Sequence, residues 1–130
     1  MTDDSRDIKG IRQTVQLYFD GMYNSDVDKL RKAFHPNAAL MGYYSGNLTY
    51  IPLEKWLEMV AARPSPAKNG EEYNMRLVSM DLTENVAMVK VRDLYLGLWF
   101  TDYLSLVKIE DEWLIVNKVF HHEPQMNKMG

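Results

Sequence analysis

From about residue 72 to residue 121 the chain alternates apolar and polar positions at period two in four runs, 72–82, 86–97, 100–109 and 113–121. The breaks between them are Thr83-Glu84-Asn85, Gly97 and Glu110-Asp111-Glu112. Such alternation marks strands with one buried face. Connections this short hold no crossover helix, so consecutive strands must pair antiparallel, as a meander. This stretch alone excludes a doubly wound parallel sheet.

The first half has a different period. Ile8, Ile11, Val15, Tyr18, Phe19 and Met22 recur at the three-and-four spacing of a helix that buries one stripe and ends near Asn24. Ser25 and Asp28 read as a capping box that opens a second helix at Asp26, which buries Val27, Leu30 and Phe34. That helix stops at His35-Pro36-Asn37, because Pro36 disfavours helical geometry at the residue before it. Ala38–Tyr44, a turn at Ser45-Gly46-Asn47 and Leu48–Ile51 read as a hairpin. Pro52 then suits the first turn of a third helix that buries Leu53, Trp56, Leu57 and Val60 before Arg63-Pro64-Ser65-Pro66 opens a loop to about Gly70. The expected fold is α+β: three helices covering one face of a curved, mainly antiparallel sheet. A single domain accounts for all 130 residues, with an ordered core over about 8–122 and tails at 1–7 and 123–130.

Composition narrows the chemistry. There is no Cys and there are only three His, which removes thiol nucleophiles, zinc fingers and iron–sulfur ligation. Eight Tyr, four Phe, three Trp and nine Met supply core material in excess. With 15 basic and 18 acidic side chains, net charge −3 and no Lys/Arg-rich run, nucleic acid is not an expected partner. The start Met1-Thr2-Asp3-Asp4-Ser5-Arg6-Asp7 lacks the basic and apolar stretches of a signal peptide, and no apolar run reaches the ~20 residues of a membrane span, so a cytoplasmic protein without membrane contact is expected. One alternating set, Tyr103, Val107, Ile109, Trp113, Ile115 and Val119, is too apolar for a solvated face and points to a homodimer through the sheet.

The runs Val15-Gln16-Leu17-Tyr18, Asn24-Ser25-Asp26-Val27-Asp28 and Phe34-His35-Pro36-Asn37-Ala38 resemble the opening of the nuclear transport factor 2-like superfamily, the cone fold shared with ketosteroid isomerases and SnoaL-like polyketide cyclases. Phe100-Thr101-Asp102-Tyr103-Leu104 and Trp113-Leu114-Ile115-Val116-Asn117-Lys118-Val119-Phe120 are most similar to its branch labelled "putative lumazine-binding". The likeness spans about residues 8–122. It implies a cone-shaped fold with a mixed sheet. It leaves function open, because the scaffold hosts isomerases, hydrolases, dehydratases and transport adaptors. In the isomerases an acid at the position of Asp102 and a Tyr at that of Tyr18 donate to a developing oxyanion. The resemblance lacks the isomerase base, whose place falls on Gly42.

Asp102 interrupts an apolar strand, where a carboxylate needs a hydrogen bond or a proton. Tyr18 reads either as a site donor or as a core residue tied to a neighbour. If Asp102, Leu104 and Leu106 share a face with Val116, Lys118 and Phe120, Lys118 lies beside Asp102 and holds it ionised; a slip of one residue brings Asn117 and Val119 there instead. His121 and His122 are adjacent and point to opposite sides of a strand, so no metal site is expected. His35 reads as a helix-end residue, whereas His122 falls at the mouth of the cone, where it is a candidate acid or base. Met22, Met41, Trp56, Tyr95, Trp99 and Phe120 are candidate walls for a flat ligand, or ordinary packing.

The leading expectation is therefore a protein without cofactor that binds a small apolar or heteroaromatic molecule, with Asp102, Tyr18 and Lys118 as polar contacts. The alternatives are a cofactor-free lyase, isomerase or hydrolase using Asp102, Tyr18 or His122, and a dimeric adaptor acting through its sheet or the 63–70 loop.

Overall fold

Ile11, Val15, Tyr18, Phe19 and Met22 form the buried stripe of α1 (Ser5–Asn24), the helix around which the rest of the chain is arranged. The computed structural model describes residues 4–124. α1 begins three residues ahead of the apolar stripe, so Ser5–Asp7, expected in a tail, are helical: Asp7 Oδ1 accepts from Lys108 Nζ (3.1 Å) and from the Trp113 indole (3.2 Å). The tail positions 1–3 and 125–130 lie outside the described residues.

α2 (Val27–Ala33) is capped by Asp26, whose carboxylate accepts from Lys29 N at 3.2 Å, and not by Ser25. Ser25 is in the left-handed region (φ 52°) and closes α1, which leaves the next residue to face the new helix. Asp20 provides a salt-bridge partner across this junction, with Lys29 Nζ at 3.9 Å. The chain then turns straight into β1 (Phe34–Tyr44), so the strand starts four residues ahead of Ala38. Pro36 sits inside it, in the irregular stretch between Phe34↔Ile115 and Ala39↔Asn117 where no ladder bond is needed from a proline. β2 (Asn47–Pro52) returns beside β1, and α3 (Leu53–Ala62) crosses back over the sheet.

The meander follows as β3 (Met75–Thr83), β4 (Val86–Tyr95), β5 (Leu98–Ile109) and β6 (Glu112–His122). The six strands lie in the order β2-β1-β6-β5-β4-β3, antiparallel throughout except for the parallel pair β1–β6. This is the expected α+β architecture with a mixed, mainly antiparallel, open sheet. The helices cover one face, and the core lies between α1, α3 and the inward side chains of β1, β4, β5 and β6.

An irregularity between Ser105 and Leu106 decides which residues of the last hairpin face that core. Asp102 pairs with Phe120 and Leu104 with Lys118, but Leu106 pairs with Ile115, so Val116 is passed over. The inward set of β6 changes parity there: Phe120 and Lys118 point in beyond the bulge, Ile115 and Trp113 before it. Trp113 and Ile115, expected on the outer face with Tyr103 and Val119, are therefore core residues. The turn between these strands, Glu110 (φ 50°) and Asp111 (φ 68°), makes a two-residue reversal without glycine.

Candidate functional site

Three chemically active side chains, one of them its own, meet beneath α1. β4 presents Ala87, Val89, Val91, Asp93 and Tyr95 inward, and β5 presents Phe100, Asp102, Leu104 and Leu106. Val91 stands opposite Asp102, so Asp93 is its diagonal neighbour on the same face. From α1 the Tyr18 hydroxyl donates to Asp102 Oδ2 at 2.7 Å. All three are sealed from water: Tyr18 and Asp102 are 0% exposed and Asp93 1%.

Two carboxyl groups this deep would both be acceptors if ionised, and Asp102 Oδ1 and both Asp93 oxygens have no donor. A proton on Asp93 supplies one. Burial above all pushes the Asp93 carboxyl well above the usual carboxylate range, reinforced by the charge of Asp102 and a hydrogen bond to it, while Lys118 and Arg92 oppose the shift less strongly. The Tyr18 phenol is also driven well up, by burial first and then by the charges of Asp102 and Asp93. It stays a donor. The Tyr18–Asp102 hydrogen bond ties α1 to β5, and Tyr18 points its proton at Asp102 and not at open space.

The open space lies beside it. A cavity of about 250 Å³ is walled by Met22, Leu40, Ile51, Trp56, Phe100 and Phe120. Lys118, Arg63, Tyr44, Thr49 and Tyr95 are the lining residues that carry polar groups. Lys118 shares the inward face with Asp102, as the first of the two registers required, yet it makes no ion pair or hydrogen bond among the described residues. Its ammonium instead rests among three rings, 4.7 Å from the Trp56 centroid, 5.0 Å from Tyr18 and 5.7 Å from Phe120.

The other residues singled out from the sequence lie in different places. Met22, Trp56, Tyr95, Lys118 and Phe120 line the cavity, whereas Tyr18 and Asp102 lie behind its wall. Met41 and Trp99 belong to the opposite face of the sheet, because their inward neighbours are Leu40, Gly42, Leu98 and Phe100; Arg92 stacks on Trp99 at 4.9 Å. His122 is at the rim, its ring 5.0 Å from Tyr44 and 5.2 Å from Phe100. Ser45 N–H donates to its Nε2 (2.9 Å) and Nδ1 lies 2.8 Å from Glu123 O, so both nitrogens are engaged. His35 Nδ1 accepts from Asn37 N–H. Asp93 was not foreseen, although the signal matched that of Asp102, a carboxylate breaking an apolar alternation.

Gly42 closes the question of the missing base. A Cβ there would lie 2.1 Å from Phe120 O and 2.8 Å from its carbonyl carbon, so the strand pair leaves no room for any side chain.

Comparison with known proteins agrees with this architecture. A nuclear transport factor 2-like protein of unknown function from Methylobacillus flagellatus is 27% identical, with 95% of this chain and 97% of that one covered at a TM-score of 0.83. A second, from Silicibacter pomeroyi, is 23% identical and covers 94% of this chain and 100% of its own at a TM-score of 0.85. Aldolase FrzH of Cladobotryum sp. is 23% identical over 121 residues, 93% of this chain and 95% of that protein. Residues 6–121 match the family described as "Putative lumazine-binding". The chain belongs to that lumazine-binding family, within the nuclear transport factor 2-like superfamily.

Proposed function

We propose that the chain binds a small, flat, carbonyl-bearing molecule in the cavity, with Lys118 as the anchoring contact. One observation carries the reading: an ammonium only 4% exposed stands on the wall of a largely apolar cavity and makes no ion pair or hydrogen bond among the described residues. A buried charge in that position is stabilised by its rings and left free to donate to an oxygen acceptor. The cavity volume lies at or below the small end of ligand pockets, about 300–1,000 Å³, which favours a one- or two-ring molecule over a steroid. Lumazine, a bicyclic dione named in the family's description, has the required flat ring and carbonyl oxygens.

Titration with lumazine, followed by quenching of tryptophan fluorescence, tests this. Wild-type protein is expected to saturate, and Lys118→Met to bind about 10- to 100-fold more weakly, the loss of one charge-assisted hydrogen bond. Equal affinities for the two proteins would remove Lys118 from the site. In this reading Asp102 and Tyr18 act from behind the wall by fixing α1 against β5, and His122 shapes the rim. Catalysis on a carbonyl compound is a second reading, favoured by the relative named an aldolase and by an amine on the cavity wall.

We also propose that a second copy covers the outer face of the sheet. Tyr50, Met41, Val119 and Tyr103 are directly paired in one exposed row across β2, β1, β6 and β5. Sedimentation is expected to give a dimer that Tyr103→Lys dissociates; a monomeric wild type would end this proposal.

A further inference from the structure

We infer that Lys118 forms a covalent imine with an aldehyde or ketone held in the cavity. The inference rests on reading the cavity as a ligand site and goes further by assigning chemistry to the amine. Lys118 is the primary amine in the cavity lining. Other lysines are engaged elsewhere: Lys29 with Asp20, Lys55 with Glu58, Lys108 with Asp7 and Lys90 against the ring of Tyr103.

The step balances without any co-reactant. The ammonium gives one proton to solvent, and the free amine adds to the carbonyl carbon to form a C–N bond. The C–O bond then breaks, and the oxygen leaves as water with two hydrogens. The proton is regained on nitrogen, so ammonium and carbonyl become a protonated imine and one water, with a single positive charge on both sides.

Charge conservation is what suits this site to that product. Burial and the neighbouring Asp102 favour the protonated form of Asp93, and Lys118 is the cation that shares their face from β6. A protonated imine keeps that positive charge among the rings of Tyr18, Trp56 and Phe120, where the ammonium already stands.

The test is reductive trapping of the full chain with benzaldehyde and borohydride, read by intact mass and peptide mapping. One added benzyl group is expected, carried by Lys118 about tenfold more than by any surface lysine. Lys118→Arg, checked for folding by circular dichroism, is expected to keep lumazine binding because it keeps a cation, and to lose the preferential label. Label spread over surface lysines with Lys118 spared would overturn the imine. Lumazine titration of the same protein separates the two readings. Saturation without Lys118 labelling ends the imine and leaves the binding site, labelling without lumazine binding ends the heteroaromatic ligand and leaves the imine, and failure of both ends both.

Discussion

Gly42→Ala is expected to cost about 3 kcal/mol of folding stability, the upper range for adding one methyl group to a packed interior. The reason is the identity of the atom it meets. A flexible side chain can swing away, but the nearest neighbour of the added Cβ is the backbone oxygen of Phe120 at 2.1 Å, so β1 and β6 must separate. These strands form the parallel pair of the sheet, and Leu40, two residues along, pairs with Lys118. Displacing β1 therefore shifts the cavity wall as well as the ladder. Urea denaturation checks the prediction, and a midpoint shift worth less than about 0.5 kcal/mol would show that the two strands can part cheaply. Gly42→Asp is expected to do worse, since it adds a charge to the same clash. At Gly42, where the resemblance to ketosteroid isomerases would put a base, packing against Phe120 leaves no room for a side chain.

The helices and strands were legible because each buries one face, and burial of one face writes its period into the sequence: 3.6 through Ile11, Val15, Tyr18 and Met22, two through Val89, Val91 and Asp93. Register was legible only where no residue is skipped. Lys118 and Phe120 beside Asp102 and Leu104 was one of two registers the sequence left open, and Val116 is passed over opposite Leu106 by a bulge that no local composition marks. This is why Trp113 and Ile115 read as outer residues. Met41 and Trp99 show a different limit. Being aromatic or soft qualifies a residue for a pocket wall, but parity along the strand puts both on the far side of the sheet. Asp93 was legible in principle, since the reasoning that singled out Asp102 applies equally to it. What no spacing reveals is that the two carboxyls touch, a contact made by β4 and β5 at a diagonal.

That contact leads to the second large effect, a pH dependence of stability that Asp93→Asn removes. The folded chain holds a proton on Asp93 well above the usual carboxylate range, with burial as the main cause and Asp102 next. The unfolded chain releases it at the ordinary value of about 3.9. Below that value both states are protonated and nothing is lost. As pH rises through it, the unfolded state binds fewer protons than the folded one, so stability falls, by up to about 1.4 kcal/mol per pH unit until the folded-state value is passed. Lys118 and Arg92 moderate the fall by favouring the charged form. Asparagine has the shape of protonated aspartate and an N–H to give Asp102 Oδ1, but no proton to lose. The Asp93→Asn variant is therefore expected to gain on the wild type as pH rises above about 4, after allowance for the groups they share. Asp93→Ala should show no such gain: it leaves Asp102 short of a donor beside an empty volume, at a cost of about 3 kcal/mol. Thermal unfolding across pH decides. Parallel curves for the wild type and Asp93→Asn would mean that Asp93 is ionised in the folded state, and the proton assigned to it beneath α1 would have to be given up.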